Sequence, residues 1–252
     1  MSGHSKWSTI KRKKGALDAK RAKMFSRVLR EINVAVKESG PDPEGNPKLR
    51  VAISNAKGVN MPKDNVKRAI DKASGKDAEN FIESTYEGYA PGGIAVFVET
   101  LSDNLNRTVS NVRAIFTKYN GSLGTNGSLE FLFDRKGVFT LDASSLGEMD
   151  EDEFEMELID GGAEDVIKEE EEYLIYTSFE DFGSMQRKLE ELKIEAKSSE
   201  LQRIPHNTNV LDVDASQKVL KMIDKFEEDE DVQNVFHNLE MTDELMAALE
   251  AE

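Results

Sequence analysis

Apolar side chains recur at three- and four-residue spacing from Ala16 to Ser39, where Phe25, Val28, Leu29, Ile32 and Val36 fall on one stripe. That period predicts an amphipathic helix. Gly40 and Pro41 end it, and GPDPEGNP over 40–47 reads as a loop. Asn46 followed by Pro47 is an N-cap and first-turn pair. It predicts a second helix to about Lys57 that buries Leu49, Ile53 and Ala56, with Gly58 as the stop. MPKDN (Met61–Asn65) opens a third helix carrying Val66, Ala69, Ile70 and Ala73, closed by Gly75. Three short amphipathic helices with short connections predict a small helical bundle.

After a polar linker at 75–80 the pattern turns to strands. Two strand-like runs flank Pro91-Gly92-Gly93, the second being Ile94–Leu101. Asp103 or Asn104 caps a helix that buries Val109, Val112, Phe116 and Tyr119, and a strand is expected at Leu129–Phe133. The order is β-β-α-β. Next come a strand at GVFTL (137–141), a helix around Glu153–Ile159 and strands at Asp165–Lys168 and Tyr173–Thr177. A helix at Phe182–Leu192 and a strand at Ile194–Ile204 complete a β-α-β-β-α-β order, which suits a ferredoxin-like sheet. The chain closes with a helix at about Ala215–Phe226, an acidic turn, a strand at Val232–Phe236 and a polar tail. The fold class expected is α+β.

Charge changes this picture more than composition does. The 252 residues carry a net −16, but residues 1–75 hold 18 Lys and Arg against 7 Asp and Glu, a net +11, whereas the remainder is −27. The first 23 residues alone hold eight basic residues against one acid, together with the only tryptophan, Trp7. Such polarity points to a molecule that touches a polyanion by its basic end, while its acidic bulk is repelled by phosphate. The alternative, a basic end that pairs only with the chain's own acids, rests on surface ion pairs that are individually weak. Residues 1–13 show no apolar period and are expected to be a mobile arm ordered by its partner. Trp7 can stack on an unpaired base or anchor the arm on the bundle; the residues leave both open. Arg21, Arg27 and Arg30 lie off the apolar stripe and extend the basic surface along the helix. Lys63, Lys67 and Arg68 form a further cluster that is equally a solvated helix face.

Other chemistry is thin. The absence of cysteine excludes disulfides and Cys-based zinc or iron–sulfur sites. His4, His206 and His237 lack metal-ligand spacing, and no nucleophile motif, dinucleotide fingerprint or Walker loop appears. The expectation is therefore no enzyme, no cofactor, no metal and no small-molecule substrate. No apolar run is long enough to span a bilayer, and no hydrophobic segment follows the basic N-terminus, so a cytoplasmic protein without a membrane partner is expected. The glycines of GSLGTNGS (Gly121–Ser128) can cradle phosphate, but no lysine or basic cluster flanks them, which favours a turn or bulge.

Several of these segments together resemble the YebC/PmpR family. They are GHSKW (Gly3–Trp7), IKRKKGALDAKR, NMPKDN (Asn60–Asn65), YEGYAPGG (Tyr86–Gly93), DNLNRTVSNVR (Asp103–Arg113), GSLGTNGS and DVQNVFHN (Asp231–Asn238). That family includes the mitochondrial translational activator of cytochrome c oxidase. The resemblance implies three domains, the third inserted into the second: 1–78, then 79–134 joined with 206–240, then 135–205, with an acidic tail at 241–252. It implies a DNA-binding transcriptional regulator or, alternatively, a ribosome-associated factor that relieves stalling at proline-rich stretches through rRNA or tRNA. Lys6, Trp7, Lys11, Arg12, Lys13, Lys14, Lys20 and Arg21 carry over as contact residues, and Lys23, Arg27 and Arg30 extend them. The acidic run at Glu148–Glu155 argues against nucleic-acid contact by the third domain.

Overall fold

A computed structural model describes residues 17–75, 78–146, 149–169 and 171–251. The fold is α+β. Helix α1 (Leu17–Ser39) is followed by α2 (Pro47–Gly58) and α3 (Lys63–Ala73). The stripe on α1 buries Val28, Ile32 and Val36 against Leu49, Ala52 and Ala56 of α2, with Met61 and Ala73. Asn46 fixes the angle between α1 and α2. Its carboxamide oxygen accepts from the Leu49 N–H (3.0 Å), while its nitrogen donates to the Ala35 and Gly40 carbonyls (2.7 and 2.8 Å). All three bonds are made by a fully buried side chain, so the cap joins the end of one helix to the start of the next.

Strands β1 (Ile82–Ala90) and β2 (Ile94–Ser102) form a hairpin across Pro91–Gly93. Gly92 and Gly93 both sit at positive φ (76° and 74°), a region that residues with a Cβ avoid. Helix α4 (Leu105–Lys118) and a short β3 (Ser122–Leu123) follow. Much later, α7 (Val213–Glu228) leads to β8 (Val232–His237), which pairs antiparallel with β2. The sheet order is β3-β1-β2-β8. One face packs on α4 and α7 through Val96, Val98, Phe116, Phe226 and Val235. The other buries Phe97 with Leu129, Phe133 and Phe236, so β2 is covered on both sides.

Strand β4 (Phe133–Asp142), α5 (Glu151–Asp160), β5 (Ala163–Lys168), β6 (Glu172–Ser178), α6 (Phe182–Glu191) and β7 (Ser198–Pro205) build the second sheet, in the order β5-β6-β4-β7. With two helices on one core of Phe139, Leu141, Phe154, Leu158, Ile175 and Met185, this is the ferredoxin-like arrangement.

Three expectations are corrected. Leu129–Phe133 is not a strand: Glu130–Leu132 is a 3-10 turn and the strand starts at Phe133. Leu129 and Phe133 enter the same core while Phe131 is exposed, which is the spacing of a turn and not the alternation of a strand. Strand β7 begins at Ser198 instead of Ile194: the Ile194 N–H bonds the Leu189 carbonyl of α6 (2.9 Å), and Ile194 and Ala196 pack into the second sheet's core. The closing residues are not a plain acidic tail. Asp243–Ala251 is a helix, α8, whose Leu245 and Leu249, four residues apart, are buried in the first core.

The chain divides into two compact units. Among the described residues, one comprises those up to Lys23, those of Asn80–Asp134 and those from Ile204; the other comprises those of Met24–Glu79 and Arg135–Arg203. The second unit therefore combines the helices with the ferredoxin-like sheet, which the sequence reads as separate domains. Within it the Asn55 carboxamide grips the Ser199 backbone, accepting from its N–H (2.9 Å) and donating to its C=O (3.1 Å). Gly58 lies so close to this sheet that an added Cβ would stand 1.8 Å from the Lys197 carbonyl oxygen. Nearby, burial and then the Glu200 charge push the Glu31 carboxyl up to about 7, against the Asn55 amide and the Arg27 charge.

Gly58→Ala is expected to cost about 1–3 kcal/mol in urea unfolding, because helix or strand must retreat. Glu31 gives a pH test. Its folded value lies above the ordinary 4.5, so the folded protein holds a proton that the unfolded chain releases. Stability should fall as pH rises from about 4.5 to 7 and stay level above, by up to roughly 3 kcal/mol. Glu31→Gln should flatten that fall in thermal melts and be the more stable form at pH about 8.

Candidate nucleic-acid interface

The structure places only part of the expected basic surface. Lys6, Trp7, Lys11, Arg12, Lys13 and Lys14, and with them the expected mobile arm, lie outside the described residues. So does His4. Lys20 and Arg21 lie within α1, but their side chains are outside the described set. Lys23, Arg27 and Arg30 are half-buried on α1. Lys23 donates to the Asp229 carbonyl (3.0 Å), at the C-terminal end of α7, where a cation is favoured by the helix dipole. Arg27 stands one turn before Glu31 and partly offsets its charge. Lys63, Lys67 and Arg68 are exposed on α3, and Arg68 is turned back onto Asn65 and the Asp64 carbonyl.

Two of the resembling motifs meet at one carboxylate. Asp231, 2% exposed, accepts from Arg107 Nε and Nη2 (3.2 and 2.8 Å) and from the Thr108 hydroxyl (2.9 Å). Its backbone C=O accepts from the Leu101 N–H (2.8 Å). DNLNR and DVQN are thus two halves of one anchor, tying the start of α4 and the end of β2 to the start of β8. Burial alone would raise the Asp231 carboxyl; the Arg107 guanidinium with the Thr108 and Ser102 hydroxyls outweighs it and holds the group below its ordinary range. Asp229 extends the anchor by accepting from Asn111 of α4 (2.9 Å). The sequence reads Glu227–Asp231 as an acidic turn but gives no sign that Asp231 is a buried anchor. The signal that could have found it is an Arg and an Asp in two separate motifs far apart in the chain, masked by Asp103, which gives Arg107 a nearer partner (2.8 Å).

The glycine-rich segment is closed to phosphate by the protein's own carboxylate. Glu87, 1% exposed on β1, accepts from the Gly127 N–H (2.6 Å) and the Leu129 N–H (2.5 Å), and its carbonyl accepts from Gly124 (2.7 Å). The segment is a β3 edge and turn. His237 is buried and its Nδ1 accepts from the Leu239 N–H (3.2 Å), a structural role; His206 pairs with Asp134 at the surface (2.8 Å). A cleft of about 390 Å³ within the second unit is lined by Arg50, Lys57, Glu190 and Glu195. Those four side chains face one another as ion pairs (Arg50–Glu190 3.8 Å, Lys57–Glu195 2.9 Å), so the cleft presents little net charge to a ligand. Among the described residues no group of three or more His, Asp or Glu is placed to hold a metal ion, and no helix is long and apolar enough to cross a membrane.

Fold and charge together define a class: modular α+β proteins that gather their positive charge into an N-terminal helical part, followed in the chain by two four-stranded antiparallel sheets. The chain belongs to the TACO1/YebC family. The family's N-terminal domain matches residues 5–76, and its second and third domain match residues 81–239. A "probable transcriptional regulatory protein" of Amoebophilus asiaticus is 52% identical over 241 residues, covering 95% of this chain and 98% of the relative. One of the same description from Rubrobacter xylanophilus is 47% identical, covering 98% of each. Among solved structures, a conserved hypothetical protein of Aquifex aeolicus superposes with a TM-score of 0.80 at 43% identity, over 92% of this chain and 95% of that one.

Asp231→Asn should destabilise the protein by about 2 kcal/mol, less than for a fully buried pair because Arg107 is 46% exposed. The folded-state carboxyl is depressed, so its contribution is present above the ordinary carboxylate range and lost as pH falls through it. Acid-unfolding curves of the variant should lose that part of the pH dependence.

Proposed function

We propose that this chain is a non-enzymatic, cytoplasmic regulator of gene expression that binds nucleic acid, in the first instance duplex DNA, as a transcriptional regulator. The observation that carries this reading is the division of charge, +11 over residues 1–75 against −27 over the rest. A cationic end on an anionic body concentrates contact with a phosphate polymer at that end. The names carried by the relatives from Amoebophilus asiaticus and Rubrobacter xylanophilus agree with it. Lys6, Lys11, Arg12, Lys13, Lys14, Lys20 and Arg21 supply the phosphate contacts, Trp7 a ring to lie against sugar or base, and the contact is sequence-blind in the main.

The test is the dependence of affinity on salt. With about six phosphates neutralised, log affinity for duplex DNA should fall against log salt with a slope of roughly −5. Replacing Lys11, Arg12, Lys13 and Lys14 by Ala should make that slope shallower by about 3. An unchanged slope would show that the arm is not the contact. Sedimentation of lysate on sucrose gradients separates the partners: RNase-sensitive migration with ribosomes, alongside weak duplex binding, would assign the same arm to rRNA or tRNA and make the protein a translation factor.

A further inference from the structure

Helix α4 differs in charge from the body that carries it. Residues 76–252 hold 15 Lys and Arg against 42 Asp and Glu, yet α4 holds Arg107, Arg113 and Lys118 and no acid. Its inner side buries Thr108, Val112, Ile115 and Phe116. Its outer side is a straight stripe of Asn106, Ser110, Arg113 and Thr117, all exposed, with Arg107, Ala114 and Lys118 as a second exposed row. The Ser110 hydroxyl donates to the Asn106 carbonyl (2.7 Å) and that of Thr117 to the Arg113 carbonyl (2.9 Å), so both stay short and uncharged. Arg107 holds Asp231 and Asp103 through Nε and Nη2 and makes no hydrogen bond through Nη1 among the described residues.

The turn at 229–231 brings this helix to the end of the basic N-terminal segment. Lys23 donates to the Asp229 carbonyl (3.0 Å), and Asn111 of α4 donates to the Asp229 carboxylate (2.9 Å). We propose that the outer face of α4 is a second phosphate-contact surface, beside Lys23, that lies along the backbone of duplex DNA. The claim rests on the function proposed above. Charge complementarity sets the partner's sign. The exposed rows contain no aromatic ring, so the base stacking that single strands rely on is missing, and what remains is backbone contact by Arg113, Lys118 and the Asn106 amide. Short neighbours on the stripe let a helix of about 21 Å approach a duplex that carries one charge per ~1.7 Å of its axis.

The experiment uses the full chain with a short mixed-sequence DNA duplex and a single-stranded RNA of equal length. Arg113→Gln with Lys118→Gln should make the duplex salt slope shallower by about 2 and weaken binding more than tenfold at ~0.1 M salt. Arg113→Lys with Lys118→Arg keeps the charge and should keep the slope. Arg187→Gln with Lys193→Gln, an equal charge change elsewhere, should leave it unaltered; an equal loss there would overturn the proposal as a mere effect of net charge. An unchanged slope in the Arg113/Lys118 variant, with the arm variant still flattened, overturns this inference and leaves the proposed function standing. A loss seen only with RNA overturns it too. If the unaltered protein binds no duplex, both readings fall.

Discussion

Taking a carboxylate out of water is tolerable only where charged and polar donors replace the lost hydration. Asp231 meets that condition with Arg107 and Thr108, and it does so at the point where β8 enters the first sheet. The consequence reaches well beyond the pair. The same turn offers its Asp231 carbonyl to Leu101 of β2 and its Asp229 carboxylate to Asn111 of α4. A strand that arrives more than a hundred residues after the hairpin it completes is thereby held in register, with Phe97 opposite Phe236 and Val98 opposite Val235. Loop closure over so long an interval is entropically costly, and a directional anchor at the entry point offsets part of that cost.

Buried Glu87 works in the same way at the opposite edge. It supplies acceptors to backbone N–H groups that would otherwise face the sheet unpaired, and it turns a flexible glycine-rich stretch into a fixed corner. Both carboxylates convert what looks like binding chemistry in the sequence into internal scaffolding. The remaining candidates for contact with a partner are therefore the cations that the scaffold does not absorb.

Much of the fold was legible in the chain. The α1 stripe, the Asn46 cap, the Pro-Gly-Gly corner and the βαββαβ order are local signals, and each survives because its cause lies within a few residues. The errors have one physical source. Leu129–Phe133 has the composition of a strand but is bent by a carboxylate 42 residues away in sequence, and Ile194 packs into a core ahead of the strand that begins at Ser198. The terminal helix α8 was missed because Leu245 and Leu249 signal burial only if a surface exists to receive them. The site was less legible: Lys23 and Arg27 count as free positive charge in the sequence, whereas folding sets one against a helix end and the other beside a buried acid.

Charge segregation, helix periodicity and the absence of cysteine chemistry are properties of the chain alone, because counting and spacing settle them without any partner. Which acids are solvated and which are buried anchors, which cations remain outward, and that the early helices share a compact unit with the ferredoxin-like sheet were decided only by the tertiary structure. The reason is that desolvation and hydrogen bonding depend on distances between residues far apart in the chain, and no local pattern encodes those distances.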